Sequence, residues 1–375
     1  MFVLITGGAG FIGSHTADGL LVAGHRVRVL DVLDPRVHRN GVPEYLDEKV
    51  ELIRGDVRRR EDLGPALEGV DAVIHLAAYQ DYMTDFSHFF DVNTVGTALL
   101  YELIVEKHLP IKKIVIASSQ SVYGEGPYIC ENSACPEKDV QWPEAREEQQ
   151  LESGDWDVTC PQCRARLTPA TATEQAVKPG NSYAISKYSQ ELIGFTLGRR
   201  YGISTTAMRY SIVQGPRQSF TNAYSGACRI FCLRMHLGYR PLAYEDGLQV
   251  RDYVNISDVV RANLLVLEHP DADGQAYNVG GGRAVTVLEF ADVVARAFGQ
   301  EADTEVPGKY RFGDTRHIIS DITKLGKLGW SPRGSIDESV RSYVEWLTSQ
   351  PGLDDYIAEA DQAMALQEVV REVQN

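Results

Sequence analysis

Short apolar runs alternate with stretches of helical spacing through the first half of the chain. Met1-Phe2-Val3-Leu4-Ile5-Thr6 is nearly continuously apolar, and residues 14–23 follow with helical spacing. Arg26–Leu30, Val50–Arg54, Asp71–Leu76 and Ile111–Ser118 are further short runs, with residues 88–108 spaced as a helix between the last two. Strands that are apolar on both faces, separated by helices, predict a parallel sheet covered on both sides. Residues 183–201 predict another long helix and Ser204–Tyr210 another strand. Between 124 and 180 the pattern breaks into a Glu-, Gln-, Pro- and Cys-rich stretch that has the character of an insertion. Beyond 211 the elements shorten, which predicts a smaller second region to about 350. Residues 353–375 alternate acidic and apolar positions as a surface helix would.

The first strand runs directly into Gly7-Gly8-Ala9-Gly10-Phe11-Ile12-Gly13. Glycine at 7 permits a tight turn, at 10 a close backbone approach to a pyrophosphate, and at 13 close packing of the helix on the strand. The helix N-terminus then offers amide N–H groups to an anion. Asp31, at the end of the second strand, is placed to accept bonds from an adenosine ribose and to repel a 2′-phosphate. The expected fold class is therefore α/β, a Rossmann-type doubly wound sheet over 1–210 that binds NAD, with a C-terminal substrate region over 211–350 and a tail from 351.

At about 150 residues per domain, 375 residues suit about two domains. With 52 acidic and 37 basic side chains, the net charge is −15. Nucleic acid and anionic membrane are thereby poor partners. There is no apolar run of membrane-spanning length and no secretory leader pattern at Met1, so a cytoplasmic location is expected.

Tyr183-Ala184-Ile185-Ser186-Lys187 puts a phenol and an ammonium on one helix face. A neighbouring ammonium favours phenolate, so the spacing predicts a lowered Tyr183 pKa and a general acid–base role on a hydroxyl. Ser119, at a strand end, is a hydroxyl able to orient the substrate.

With these motifs the chain resembles the extended short-chain dehydrogenase/reductases, in the group of NAD-dependent nucleotide-sugar epimerases and dehydratases. The matching residues are Thr6–Gly13, Asp56, His75–Ala78, Asn93 with Gly96-Thr97, Ser118–Gly124, Tyr183–Lys187, Arg251-Asp252-Tyr253 and Gly313-Asp314-Thr315-Arg316-His317. The resemblance implies catalysis by Tyr183, Lys187 and Ser119. It implies cofactor contacts from Gly7, Gly10, Phe11, Ile12, Gly13, Asp31, Asp56, Val57, Leu76, Ala77, Ala78, Asn93 and Ser118. On the substrate side it implies contacts from Ser119 and Gln120, Arg251 and Arg311 with the diphosphate, Asp314 with a ribose hydroxyl and Tyr244 near the base. Homodimerisation through the helices at 88–108 and 183–201 is also implied.

Relatives that dehydrate or decarboxylate sugars carry carboxyls just before the Tyr-Gly of Val122-Tyr123-Gly124; this chain has Ser119-Gln120-Ser121. Hydride chemistry at a single carbon remains, which favours a 4-epimerase with tightly held NAD. A 4-keto-sugar reductase, a decarboxylase and a noncatalytic NAD-sensing protein are the alternatives. Where many relatives have a sugar-binding asparagine, this chain has Ile212, leaving Gln214 or Ser211 as substitutes.

Cys130, Cys135, Cys160 and Cys163 fall within the insertion. Paired cysteines a few residues apart suit a closed, structural zinc site; four reduced thiols or a redox pair are the other readings. A subgroup that includes dTDP-L-rhamnose 4-epimerases has a Cys-Pro-x-Cys insertion and a later stretch like Asn222–Gly226 with Phe231. The resemblance thus points to a dTDP- or UDP-linked hexose or 6-deoxyhexose. Cys228 and Cys232, four apart, suit buried helix packing.

Overall fold

Seven parallel strands form the central sheet: β1 (Phe2–Thr6), β2 (Arg26–Asp31), β3 (Glu51–Arg54), β4 (Ala72–His75), β5 (Lys113–Ser119), β6 (Ser204–Tyr210) and β7 (Gln275–Val279). Their spatial order is β7-β6-β5-β4-β1-β2-β3. The computed structural model describes the chain except for residues 82–83, 220–225, 312, 352, 354–369 and 374–375. Thr6 pairs with Leu30 on one side and His75 on the other, so the strand order reverses at β1. Ligands bind beyond the carboxyl ends of strands at such a switch point.

Burial explains why the strands read as unbroken apolar runs. All five residues of β1 are buried. Val3 and Ile5 face a core shared with α1 (Phe11–Val22) and the later helix at Ile256–Glu268, while Phe2 and Leu4 face the helix at Gly96–Glu106. We number the helices used below α1 (Phe11–Val22), α2 (Gly96–Glu106), α3 (Ser182–Tyr201), α4 (Ala227–His236) and α5 (Ile256–Glu268). The stretch expected as a helix at 88–108 runs from Phe86 to Glu106, with a wide π turn at Phe90–Val95.

The insertion holds a small antiparallel pair, Tyr128–Ile129 with Thr168–Pro169, and a short helix at Glu148–Glu152. After residue 210 a three-stranded sheet joins Ala284–Thr286, Val250–Asn255 and Ile212–Gln214, while β7 and α5 return to the first sheet and its cover. Cys228 and Cys232 are buried on α4 with Phe231 and Phe290, as their spacing suggested.

The tail departs from its expected helix where it is described. Val370–Glu372 forms a strand antiparallel to Lys309–Arg311, and Lys309 Nζ lies 3.3 Å from a Glu372 carboxylate oxygen. Most of 353–369 lies outside the described residues. Among the described residues no helix is long and apolar enough to cross a membrane.

Candidate active site

A cavity of about 510 Å³ opens over the carboxyl ends of the strands. Phe11 and Ile12 of the glycine turn line it, with Ser118, Ser119 and Gln120 after β5 and Tyr183 from α3. From the second region come Ser211, Ile212, Tyr244, Arg251, Arg311 and Asp314, together with Arg229 and Arg234 of α4.

Local chemistry sets α3 in place. Asn181 caps α3 by accepting a bond from the Ala184 N–H at 2.8 Å, and Gly202 ends it in a left-handed turn at φ 71°. Ser119 Oγ accepts from the Ser121 N–H at 3.1 Å, fixing the turn after β5, and also bonds the Tyr183 phenol. The expected fall in the Tyr183 pKa is corrected here. Burial pushes the phenol up to about 12, and the Ser119 hydrogen bond offsets only part of this. The Lys187 amine, 2% exposed, is itself brought down to about 7 by burial, with the Glu191 charge opposing.

At the cofactor end, Gly7 has φ 68°, and a Cβ on Gly13 would meet Gly7 O at 2.4 Å and Gly8 Cα at 2.6 Å. The start of α1 carries no side-chain cap and no acidic residue in its first turn. Its amides are thus left for an anion, and the residues fit a dinucleotide pyrophosphate. Asp31 accepts from the N–H groups of Ala9 at 3.0 Å and Leu33 at 2.9 Å. A carboxylate has lone pairs beyond these two bonds for a ribose diol. Ala77 packs against Gly7, between Leu76 and Ala78. Asp56 is engaged by Arg58, and Val57 is buried in the α2 core. Asn93, expected to touch the cofactor, is a correction. It is fully buried, its Oδ1 accepting from Tyr79 N–H and its Nδ2 donating to Tyr79 O and Ser186 Oγ. Both N–H donors of its amide and one acceptor site are taken by protein, so it holds the loop after β4 onto α3.

On the substrate side, Arg251 Nη1 donates to Val250 O and Arg316 O, which fixes the guanidinium at the cavity wall. Arg311 stacks its guanidinium 4.7 Å from the Tyr244 ring centre. Gln120 Oε1 is buried without a hydrogen-bond partner beside the cavity. Gln214 is fully buried behind the cavity wall, its amide nitrogen and oxygen both without a hydrogen-bond partner, whereas Ser211 lines the cavity. Sequence reasoning missed Arg229 and Arg234, which are 4% and 8% exposed. The available signal was two arginines inside the otherwise apolar run Cys228–Met235, since arginine is rarely buried without a partner.

The four cysteines of the insertion converge. Their Sγ atoms all lie within 4.8 Å of one another, with Cys130–Cys163 at 3.6 Å and Cys135–Cys160 at 3.7 Å, and none is in a disulfide. A tight turn supports the second pair: Cys160 N–H donates to Ala165 O, and Arg164 adopts φ 60°. Burial raises the Cys160 thiol, but N–H groups of Cys163 and Gln162 more than offset it, bringing it to about 6.

Comparison with known proteins gives a consistent result. The chain is 32% identical over 358 residues to a dTDP-L-rhamnose 4-epimerase of Burkholderia thailandensis, covering 93% of this chain and 95% of that one. Its structure is similar to that of a UDP-glucose 4-epimerase of Thermotoga maritima with UDP-glucose, at TM-score 0.74 and 30% identity, covering 93% and 99% of the two chains. It is also similar to the Thermus thermophilus UDP-glucose 4-epimerase complex with NAD, at TM-score 0.72, 30% identity and the same coverage. The pattern of the NAD dependent epimerase/dehydratase family matches residues 3–143 and 162–280. The chain belongs to the NAD-dependent epimerase/dehydratase family.

Proposed function

We propose that this protein is an NAD-dependent nucleotide-sugar 4-epimerase. The observation that carries the reading is the Tyr183 phenol bonded to Ser119 in a cavity whose sugar-facing turn, Ser119-Gln120-Ser121, has no carboxylate. Among the described lining residues Asp314 is the only acid, and it lies in the turn after Arg311. Elimination would need a general acid and base beside Tyr183, and the decarboxylating relatives carry a Glu in this turn.

NAD supplies the reversible hydride acceptor for C4. Gly7, Gly10, Phe11, Ile12 and Gly13 with the α1 N-terminus hold its pyrophosphate, and Asp31 its adenosine ribose. Ser119 orients the C4 hydroxyl of the sugar. Tyr183 removes that proton and later returns it, and the 4-keto sugar turns over between the two transfers. Lys187 holds the nicotinamide ribose. Residues 1–210 with β7 and α5 serve the cofactor side, and the rest of 211–350 the nucleotide-sugar side, where Arg251 and Arg311 bind the diphosphate bidentately. Arg229 and Arg234 add positive charge to the same wall. Anion binding is local, within a chain of net charge −15. Similarity to a dTDP-L-rhamnose 4-epimerase supports a dTDP- or UDP-linked hexose or 6-deoxyhexose as substrate.

The insertion binds one structural zinc. With Zn–S near 2.3 Å, a tetrahedral site has S···S edges of about 3.8 Å; two of the pairs here measure 3.6 and 3.7 Å. Free thiols also suit a reducing, cytoplasmic compartment. The protein pairs as a homodimer through the helical stretch Phe86–Glu106 and α3, where Val95, Ile185 and Leu192 are 51%, 42% and 50% exposed. Light scattering showing only a 41.6 kDa species at micromolar concentration contradicts that pairing.

The test of the reaction is Tyr183→Phe. It removes the acid–base group, with an expected loss of about a hundredfold or more in sugar turnover and an unchanged fold. Unchanged turnover contradicts the assignment. Transfer of label from added NADH into product supports a reductase instead.

A further inference from the structure

Two arginines outside the cavity connect the cysteine insertion to the wall that carries Tyr244 and Asp314. Arg146, 5% exposed, grips the Glu245 carboxylate bidentately at 2.8 and 2.9 Å. The same guanidinium donates to Asp314 O at 2.7 Å and to Trp156 O at 2.9 Å. Arg316, 2% exposed, reaches Glu245 at 3.0 Å, Asp246 at 2.6 and 2.8 Å, and Asp157 at 3.0 and 3.1 Å. Trp156 and Asp157 immediately precede the hairpin that brings Cys160 and Cys163 to the thiol cluster, closed by Leu167 N–H to Val158 O and Cys160 N–H to Ala165 O.

The gripped residue is conformationally unusual. Glu245 has φ 54° and is 3% exposed, although it is not glycine. Such a backbone persists only where its surroundings over-determine it. Here the constraint is the double arginine clamp and the bond from Glu245 N–H to Lys309 O at 2.6 Å. Buried ion pairs seldom add stability over apolar packing of the same volume. What this cluster supplies is one fixed geometry for the turn at Tyr244 and the turn at Asp314.

We propose that Arg146 and Arg316 are positioning residues for the nucleotide end of the substrate, and that through them the cysteine-clamped insertion sets the placement of Tyr244 and Asp314. The inference rests on the nucleotide-sugar reading above. Neither arginine lines the cavity, so their effect is on binding of the nucleotide rather than on proton or hydride transfer.

The test uses the full-length protein with NAD bound, and Arg146→Lys, Arg146→Met and Glu245→Gln. Affinity for UDP and dTDP is measured by calorimetry, and KM and kcat on the sugar that turns over. Arg146→Lys, which keeps charge but loses the bidentate grip, is expected to raise KM and the nucleotide Kd about tenfold with kcat within about twofold. Arg146→Met is expected to weaken both further, with Glu245→Gln intermediate. Chelator-stripped protein is expected to show the same KM-selective loss. Unchanged KM and Kd in Arg146→Lys overturn the proposal, as does a lower melting temperature with unchanged affinity. If Arg146→Met does not fold, Arg146→Lys decides. A wild-type protein that binds neither UDP nor dTDP overturns the nucleotide-sugar reading itself, and this inference with it.

Discussion

Lys187 donates from Nζ to Gln190 Oε1 at 2.8 Å, one turn further along the same helix. Gln190 Nε2 in turn donates to Thr97 Oγ1 at 2.7 Å. Thr97 spends its only proton on Asn93 O at 2.6 Å, so it must accept from both Gln190 and His75 Nε2. His75 is then neutral with its proton on Nε2, and its Nδ1 accepts from Thr6 Oγ1 at 2.7 Å. Lys187 therefore begins a directed chain of buried hydrogen bonds that ends on Asn93 O, with His75 joining it at Thr97.

Gln190→Leu removes the one acceptor shown for this buried amine. A hydrogen bond to a charged group is worth about 1.5–3 kcal/mol, so the ammonium becomes harder to keep. Starting from a value near 7, already lowered by burial, the lysine loses its proton at still lower pH. The pH profile of kcat/KM is expected to show this limb displaced to lower pH. A profile that superimposes on the wild type assigns Gln190 to packing alone.

Acid stability follows from His75. Burial, with the Lys187 charge adding to it, brings its pKa from 6.5 to about 3, and His317 is brought to about 4, also chiefly by burial. The unfolded chain takes up these protons first. Stability is thus complete above pH 6.5 and declines as pH falls toward 3, with a slope approaching about 1.4 kcal/mol per pH unit for each differential proton. Urea titrations across that range are expected to show the decline, and a shallower one for His75→Gln. Equal slopes contradict the buried neutral histidine.

The sheet was legible because its strands are buried on both faces, which leaves runs such as Val3-Leu4-Ile5 with no polar alternation. The glycine turn and the Tyr183/Lys187 spacing were legible because both are local. The phenol's pKa was not, because burial by distant elements outweighs a neighbour four residues away. Asn93 misled for the same reason: its partners Tyr79 and Ser186 are 14 and 93 residues away. Arg146 and Glu245 are 99 residues apart, and nothing in either's local sequence announces a buried pair. The tail reads as a helix because a segment such as Val370–Glu372 becomes a strand only when an edge like Lys309–Arg311 is available.

Gly13→Ala tests the cofactor cradle. Its Cβ would press on the Gly7 carbonyl and Gly8 backbone, which have no rotamer to yield. Purified variant is expected to carry little or no NAD by absorbance and mass spectrometry, where the wild type retains it. Equal cofactor content would show that the turn does not hold the dinucleotide.

Elemental analysis decides the thiol cluster. Protein purified without chelator is expected to hold one zinc per chain, lost in Cys160→Ser. Stoichiometric absence of metal in the wild type removes the site.

The reaction assigned to this chain is inversion at C4 by hydride that never leaves the active site. UDP- and dTDP-linked hexoses and 6-deoxyhexoses, incubated with the purified protein in D₂O without added cofactor, can be followed by proton NMR. The expected result is the C4 epimer of at least one of them, with protium retained at C4. Deuterium at C4, or no C4 epimer from any of these sugars, contradicts the account.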